Sequence, residues 1–134
     1  MNLLPATLTQ IQSHESLHLL TFAFGKEQLT MICLDLPCGI TEGEEVTLTV
    51  NPSYIALAKH PLSTISCTNQ IPATIQEITK GTLLSRIQLQ ANGIQLESLI
   101  TTDALHTLDL DVGASIVMVI NASEIAIAHG ENSC

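Results

Sequence analysis

The chain has 134 residues and a net charge of −9, with only Lys26, Lys59, Lys80 and Arg86 as fixed cations, so it lacks the basic footprint that nucleic-acid binding requires. Aromatic residues are limited to Phe22, Phe24 and Tyr54, which leaves little for base stacking. No run of about eighteen apolar residues offers a transmembrane helix, and no basic segment followed by an apolar stretch opens the chain as a secretory signal would, so a cytoplasmic protein without membrane contact is expected.

In chain order, residues 3–11, 17–24 and 29–34 read as three strands from their apolar alternation. Pro37 then predicts a tight turn in place of a helix. Strands at 46–50 and 54–58 complete a first set, and His60-Pro61-Leu62-Ser63 reads as a linker too short for independent domains. A second set begins with a strand at 71–78, where Ile71, Ala73 and Ile75 alternate with polar residues. Lys80-Gly81 makes a turn, 83–90 a strand, and Asn92-Gly93 is the strongest short hairpin signal in the chain. After a strand at 94–100 the period changes. Leu105 and Leu108 stand three apart, predicting a short helix over 102–109 with Thr102 or Asp103 as N-cap. Asp111-Val112-Gly113 turns the chain, 116–120 is an apolar strand, Asn121-Ala122-Ser123 interrupts it, and 125–127 is a last short strand.

The two sets are copies. Asn2-Leu3-Leu4-Pro5-Ala6-Thr7-Leu8-Thr9-Gln10-Ile11 returns 67 positions later as Asn69-Gln70-Ile71-Pro72-Ala73-Thr74-Ile75-Gln76-Glu77-Ile78. Further on, Gly43, Asn51, Ser53 and Ile55-Ala56-Leu57-Ala58 match Gly113, Asn121, Ser123 and Ile125-Ala126-Ile127-Ala128. Three strands, a short helix and two strands is the order of a five-stranded Greek-key barrel of the OB type. The expected fold is therefore all-β: two tandem OB-like barrels over residues 1–60 and 64–130, with a short helix in the second. Units of this size are marginal alone. With 46% hydrophobic and only 13% charged residues, the chain is expected to bury apolar surface in a homo-oligomer.

The second copy resembles the Mop domain, also called the TOBE domain, of molybdate-binding molbindins. The resemblance lies in Ser66-Cys67-Thr68-Asn69-Gln70, Ala73-Thr74-Ile75-Gln76-Glu77-Ile78, Lys80-Gly81, Leu99-Ile100-Thr101, Leu108-Asp109-Leu110-Asp111-Val112-Gly113 and Asn121-Ala122-Ser123-Glu124-Ile125. The first copy matches through Asn2, Pro5-Ala6-Thr7, Glu42-Gly43-Glu44-Glu45-Val46 and Asn51-Pro52-Ser53. The tandem arrangement is similar to that of stand-alone two-domain molbindins. The resemblance implies a homotrimer that holds molybdate or tungstate where subunits meet, storing or buffering the oxyanion without chemistry and without a further cofactor.

The resemblance also implies site residues: Ser66, Thr68 and Asn69 before the first strand of the second copy, Thr101 after its third, and Asn121, Ala122 and Ser123 at its last, with Asn2, Asn51 and Ser53 as first-copy counterparts. Lys80 and Gly81 could present a backbone amide to an anion. Two departures from the family pattern stand out: its Arg is Thr68 here, and its Lys is Asn121 and Asn51. A neutral site of hydroxyls and amides is physically sound, because oriented neutral donors bind oxyanions without a charged side chain. Plainer roles stand beside these. Ser53 and Ser123 suit a bend between strands, Asn2 and Asn69 the start of a strand, Pro5 and Pro72 an edge strand, and Lys80-Gly81 an exposed turn.

Cys33, Cys38, Cys67 and Cys134 form no Cys-x-x-Cys, so neither a disulfide framework nor a zinc site is expected, and Cys33 and Cys38 read as reduced, buried thiols. His14, His18, His60, His106 and His129 share no position between copies and predict no metal site. No nucleophile–base pairing, Gly-rich phosphate loop or carboxylate pair points to catalysis, so a non-enzyme is expected. The alternative to oxyanion storage is an interaction or sensor module of the same fold in which binding is weakened or lost.

Overall fold

The computed structural model describes residues 1–36 and 39–128. The first copy forms β1 (Asn2–His14), β2 (Leu17–Phe24), β3 (Glu27–Cys33) and β4 (Glu45–Val50), then a 3-10 turn (Pro52–Tyr54) and β5 (Ala56–Ala58). The second forms β6 (Gln70–Lys80), β7 (Leu84–Ala91), β8 (Ile94–Thr101), helix α1 (Thr102–Leu108) and β9 (Ser115–Val119), then a second 3-10 turn (Ala122–Glu124) and β10 (Ala126–Ile127). These make two curled five-stranded sheets, in the all-β, OB-like architecture that the strand order predicts. No helix among the described residues is long and apolar enough to cross a membrane.

Alternation drives each sheet. In β1, Asn2, Leu4, Ala6 and Leu8 face inward, and in β6 so do Ile71, Ala73 and Ile75. Each of these long strands serves two neighbours in succession. The start of β1 pairs with β4 (Asn2↔Val50 through Thr7↔Glu45), and its later part pairs with β2 (Thr7↔Ala23 through His14↔Leu17). A register shift between Leu8 and Gln10 bends β1, and one between Ile75 and Glu77 bends β6 at the equivalent place. Pro5 and Pro72 lie on the singly paired stretches, where a missing N–H breaks no ladder bond.

The sheets do not follow the boundaries of the sequence repeat. Their orders are β10-β4-β1-β2-β3 and β5-β9-β6-β7-β8, so the copies exchange their last strands. Ala126 and Ile127 pair with Thr49 and Leu48, while Ala56–Ala58 pair with Val119, Met118 and Val117. Buried side chains from both copies, including Phe22, Phe24 and Leu48 with Ile87, Leu89 and Met118, form one core cluster. Two units too small to be secure alone thus share an interior. The linker is tied down as well: the Leu62 N–H donates to Gln70 Oε1 at 2.7 Å, and Gln70 Nε2 donates to the Leu62 and Cys67 carbonyls at 2.8 and 2.9 Å.

Three local expectations need correction. The N-cap of α1 is Thr101, not Thr102 or Asp103: its Oγ1 accepts from the Ala104 N–H at 3.1 Å. Thr102 is buried instead, bonded to Ser85 Oγ at 2.8 Å and donating to the Gly81 carbonyl at 2.9 Å. The last strand of the first copy starts at Ala56, because the chain first makes the 3-10 turn. Cys33 is half-buried, and burial, with the Asp35 carboxylate second, pushes its thiol pKa above the ordinary value. The turn expected at Pro37, Cys38, and His129 at the end of the second copy lie outside the described residues.

Gly81 is required by packing. A Cβ there would run into the Leu84 carbonyl oxygen, which belongs to the backbone and cannot swing aside. Gly81→Ala should therefore destabilise the chain by about 1–3 kcal/mol, as overpacking does. A denaturant midpoint equal to that of the unmutated chain would show that the turn accommodates the methyl group.

Candidate functional site

The residues singled out by sequence fall into three places. Ser66, Cys67, Thr68 and Asn69 lead into β6, whose first paired residue, Gln70, lies opposite Val119 of β9. The ladder continues past the strand ends: the Ile120 N–H donates to the Asn69 carbonyl at 3.0 Å, and Cys67 Sγ donates to the Ile120 carbonyl at 3.1 Å. Ser66–Asn69 and Asn121–Ser123 are thereby held side by side. Ser66, Thr68, Asn121 and Ser123 are all exposed, and their side chains make no hydrogen bond among the described residues. Three hydroxyls and an amide free to donate thus stand exposed on two adjoining stretches of chain.

Asn51 and Ser53 form the first-copy counterpart, next to the start of β1 through the pairing Asn2↔Val50. Here the donors are in use. Ser53 N–H and Ser53 Oγ both donate to Asn51 Oδ1, at 3.0 and 2.9 Å. Thr101, Lys80 and Gly81 occupy a third place, at the far end of the second sheet. Leu84 pairs with Thr101, and the Thr102 N–H donates to the Leu83 carbonyl at 2.8 Å. Ten residues of β6 separate Lys80 from Gln70, or roughly 33 Å along an extended strand. The chain therefore does not bring Lys80 and Gly81 to the end of β6 where Ser66–Asn69 and Asn121–Ser123 lie.

Asn2 and Asn69 are almost fully buried, at 4% and 1% exposure, and each binds the opposite copy. Asn69 Nδ2 donates to the Thr30 carbonyl and the Thr30 N–H donates to Asn69 Oδ1, both at 2.8 Å. Asn2 makes the same pair of bonds with Glu97, again at 2.8 Å. Thr30 and Glu97 are themselves repeat-equivalent, 67 positions apart. Each amide thus acts as one more residue of ladder on the free edge of a third strand, satisfying backbone that would otherwise go unpaired. These two side chains build the seam between the copies.

Sequence reading missed three polar groups. Ser98 is fully buried, and its Oγ donates to the Ile55 carbonyl at 2.6 Å. Buried Ser85 meets Thr102, and Cys67 ties the segment before β6 to the end of β9. Ser85 and Ser98 were detectable, since both stand at inward positions of alternating strands, where a hydroxyl needs a partner. The partners come from distant elements, which local pattern does not reveal.

A separate crevice of about 370 Å³ is lined by Met1, Asn2, Gln88, Gln95, Leu96 and Glu97. Its carboxylate, Glu97, lies 3.3 Å from Arg86 and makes the wall unsuited to a dianion. His14 is exposed beside Glu15, and His18 Nδ1 is bonded to Ser13 Oγ at 2.7 Å. Among the described residues, no group of three metal-ligating side chains converges.

Residues 65–127 match the TOBE domain family. Among solved structures, the chain is similar to the cytoplasmic molybdate-binding protein ModG in a form with molybdate bound. The TM-score is 0.87 at 22% identity, over 94% of this chain and 94% of that one. Likeness at this identity establishes the tandem fold. A molybdate-binding protein from Sporomusa ovata is 33% identical, with a TM-score of 0.48, over 49% of this chain and 98% of that one. No curated protein sequence matches.

Proposed function

We propose, for a chain that carries a TOBE domain over residues 65–127 within a tandem-barrel fold, that it binds molybdate or tungstate without chemical change. In this reading it stores or buffers the oxyanion in the cytoplasm as a homo-oligomer, most simply a trimer. The observation that carries the proposal is the bonding that holds Ser66–Asn69 beside Asn121–Ser123. Ser66, Thr68, Asn121 and Ser123 are exposed there, and their side chains have no hydrogen-bond partner among the described residues. A tetrahedral oxyanion offers acceptors in several directions and suits such a set. Exposed Ile32, Leu34, Tyr54, Leu83 and Leu84 provide apolar surface for association with further copies. The copy boundaries at 60 and 64 mark units of descent, and the exchanged strands make the pair one folding unit.

A second reading, an interaction or sensor module with weakened binding, is favoured by Thr68, Asn51 and Asn121, which stand where the family pattern has cations. Calorimetric titration with molybdate, tungstate and sulfate separates the two. Saturable heat with the metal oxyanions from a defined oligomer is expected. Ser123→Ala, which removes one hydrogen bond to a charged ligand worth roughly 1.5–3 kcal/mol, should weaken the affinity about 10- to 150-fold while leaving assembly intact. A well-folded oligomer that takes up none of the three anions leaves the interaction module as the function.

A further inference from the structure

We propose that the chain carries a site of spontaneous covalent change at Asn92, whose side-chain amide is lost through attack by the Gly93 backbone nitrogen. The inference is independent of what the protein binds. Asparagine is among the thermolabile residues. Its loss of ammonia needs a following N–H that is not engaged, a small following residue, and room for the main chain to turn. The tip of the β7–β8 hairpin supplies all of these. Ala91 pairs with Ile94, so Asn92 and Gly93 form a two-residue loop, with φ 52 and 76 as a type I′ turn requires. Both residues are exposed, and the Gly93 N–H has no hydrogen-bond partner among the described residues. A Cβ at Gly93 would meet nothing within 4 Å, so the space around the attacking nitrogen is open. The Asn92 carboxamide makes no hydrogen bond among the described residues either. It rests on Gly25, the repeat-equivalent residue 67 positions earlier, in the space that a Cβ there would occupy.

The other described asparagines each fail one requirement. Asn51 precedes Pro52, which has no N–H. Asn2 and Asn69 are buried, with both polar atoms of each amide bonded to Glu97 and Thr30 respectively. Asn121 precedes Ala122, whose Cβ crowds the approach. At Asn92 the Gly93 nitrogen bonds to Cγ, the Cγ–Nδ2 bond breaks, and the nitrogen's proton leaves with the amide as ammonia. Water then opens the cyclic imide at one carbonyl or the other. The product is aspartate, or isoaspartate with the main chain rerouted through Cβ. Either one takes the net charge from −9 to −10. Isoaspartate also adds a carbon to the backbone of a loop whose strands are registered for two ordinary residues, and so moves the tip off Gly25.

The experiment is a timed incubation of the full, folded chain at neutral and mildly alkaline pH. Intact mass should rise by the amide-to-acid difference, and fragment spectra should place the first gain among the described asparagines at residue 92. A protein isoaspartyl methyltransferase should label the same residue. The rate should rise with pH, because the attacking nitrogen must give up its proton. Gly93→Ala should slow the gain several-fold, with circular dichroism confirming the fold. Asn92→Gly keeps a turn that two glycines can make and should remove the label at residue 92, which keeps the test open if Gly93→Ala does not fold. Three results would each overturn the inference: an unchanged Asn92 over a period in which the urea-unfolded chain is modified there, a gain that appears first at Asn121, or methyl label retained in full by Asn92→Gly.

Discussion

Replacing Asn69 by Ala should lower the stability of the chain by about 2–4 kcal/mol. Two hydrogen bonds worth roughly 1 kcal/mol each are lost, and the Thr30 N–H and carbonyl are left in a partly buried place where unsatisfied groups cost about 1–3 kcal/mol. No other strand can take over, because β3 is the edge of its sheet. Asn69→Asp should be no rescue: it keeps the acceptor, loses the donor and buries a charge without a countercharge. Asn2→Ala breaks the equivalent clasp on Glu97, and the double variant should lose nearly the sum if the clasps act independently. The readout is the urea midpoint at constant slope, since a changed slope would signal a change in the unfolded state or loss of two-state behaviour. A loss below about 0.5 kcal/mol for Asn69→Ala, the size of an ordinary surface substitution, would mean that the seam is held by packing alone.

Returning a cation to position 68 or 121 should tighten oxyanion binding. Thr68 and Asn121 stand where the family pattern has Arg and Lys, and both residues are exposed. A charge-assisted hydrogen bond contributes roughly 1.5–3 kcal/mol. Asn121→Lys should therefore lower the molybdate Kd by about 10- to 150-fold, and Thr68→Arg should act in the same direction. The gain should shrink as sodium chloride is raised, because exposed charges are screened within roughly 10 Å at 0.1 M salt. The unmutated site, built from neutral donors, should respond less steeply. Unchanged affinity in both variants would place the anion elsewhere on the molecule. The same substitutions test the meaning of the departures from the family pattern, since an interaction module with no remaining oxyanion site would gain nothing from a single cation.

Much of the candidate site was legible before folding. Ser66-Cys67-Thr68-Asn69 and Asn121-Ala122-Ser123 stand at the two strand ends that antiparallel pairing of β6 with β9 must bring together. Asn2 and Asn69 were legible as special positions but not as cross-copy clasps, because their partners, Glu97 and Thr30, belong to the other repeat. Lys80-Gly81 and Thr101 were recognised as neighbours of turns. Their distance from Ser66–Asn69 depends on strand length and register, which motif resemblance does not carry.

The sequence by itself determined the duplication, the alternation that makes β1 and β6 half-buried strands, the Asn92-Gly93 hairpin and the short helix between β8 and β9. All of these follow from periods and turn chemistry within about ten residues of chain. Tertiary structure alone decided the exchange of β5 and β10 between sheets, the burial of Ser85 and Ser98, and the bonding of Ser53 to Asn51 Oδ1 where Ser123 makes no such bond. The physical reason is that repeat-equivalent segments have equivalent local preferences. A strand such as Ala126–Ile127 can pair with either β4 or β9, and the choice rests on where the chain emerges from the preceding bend and which free edge lies within reach.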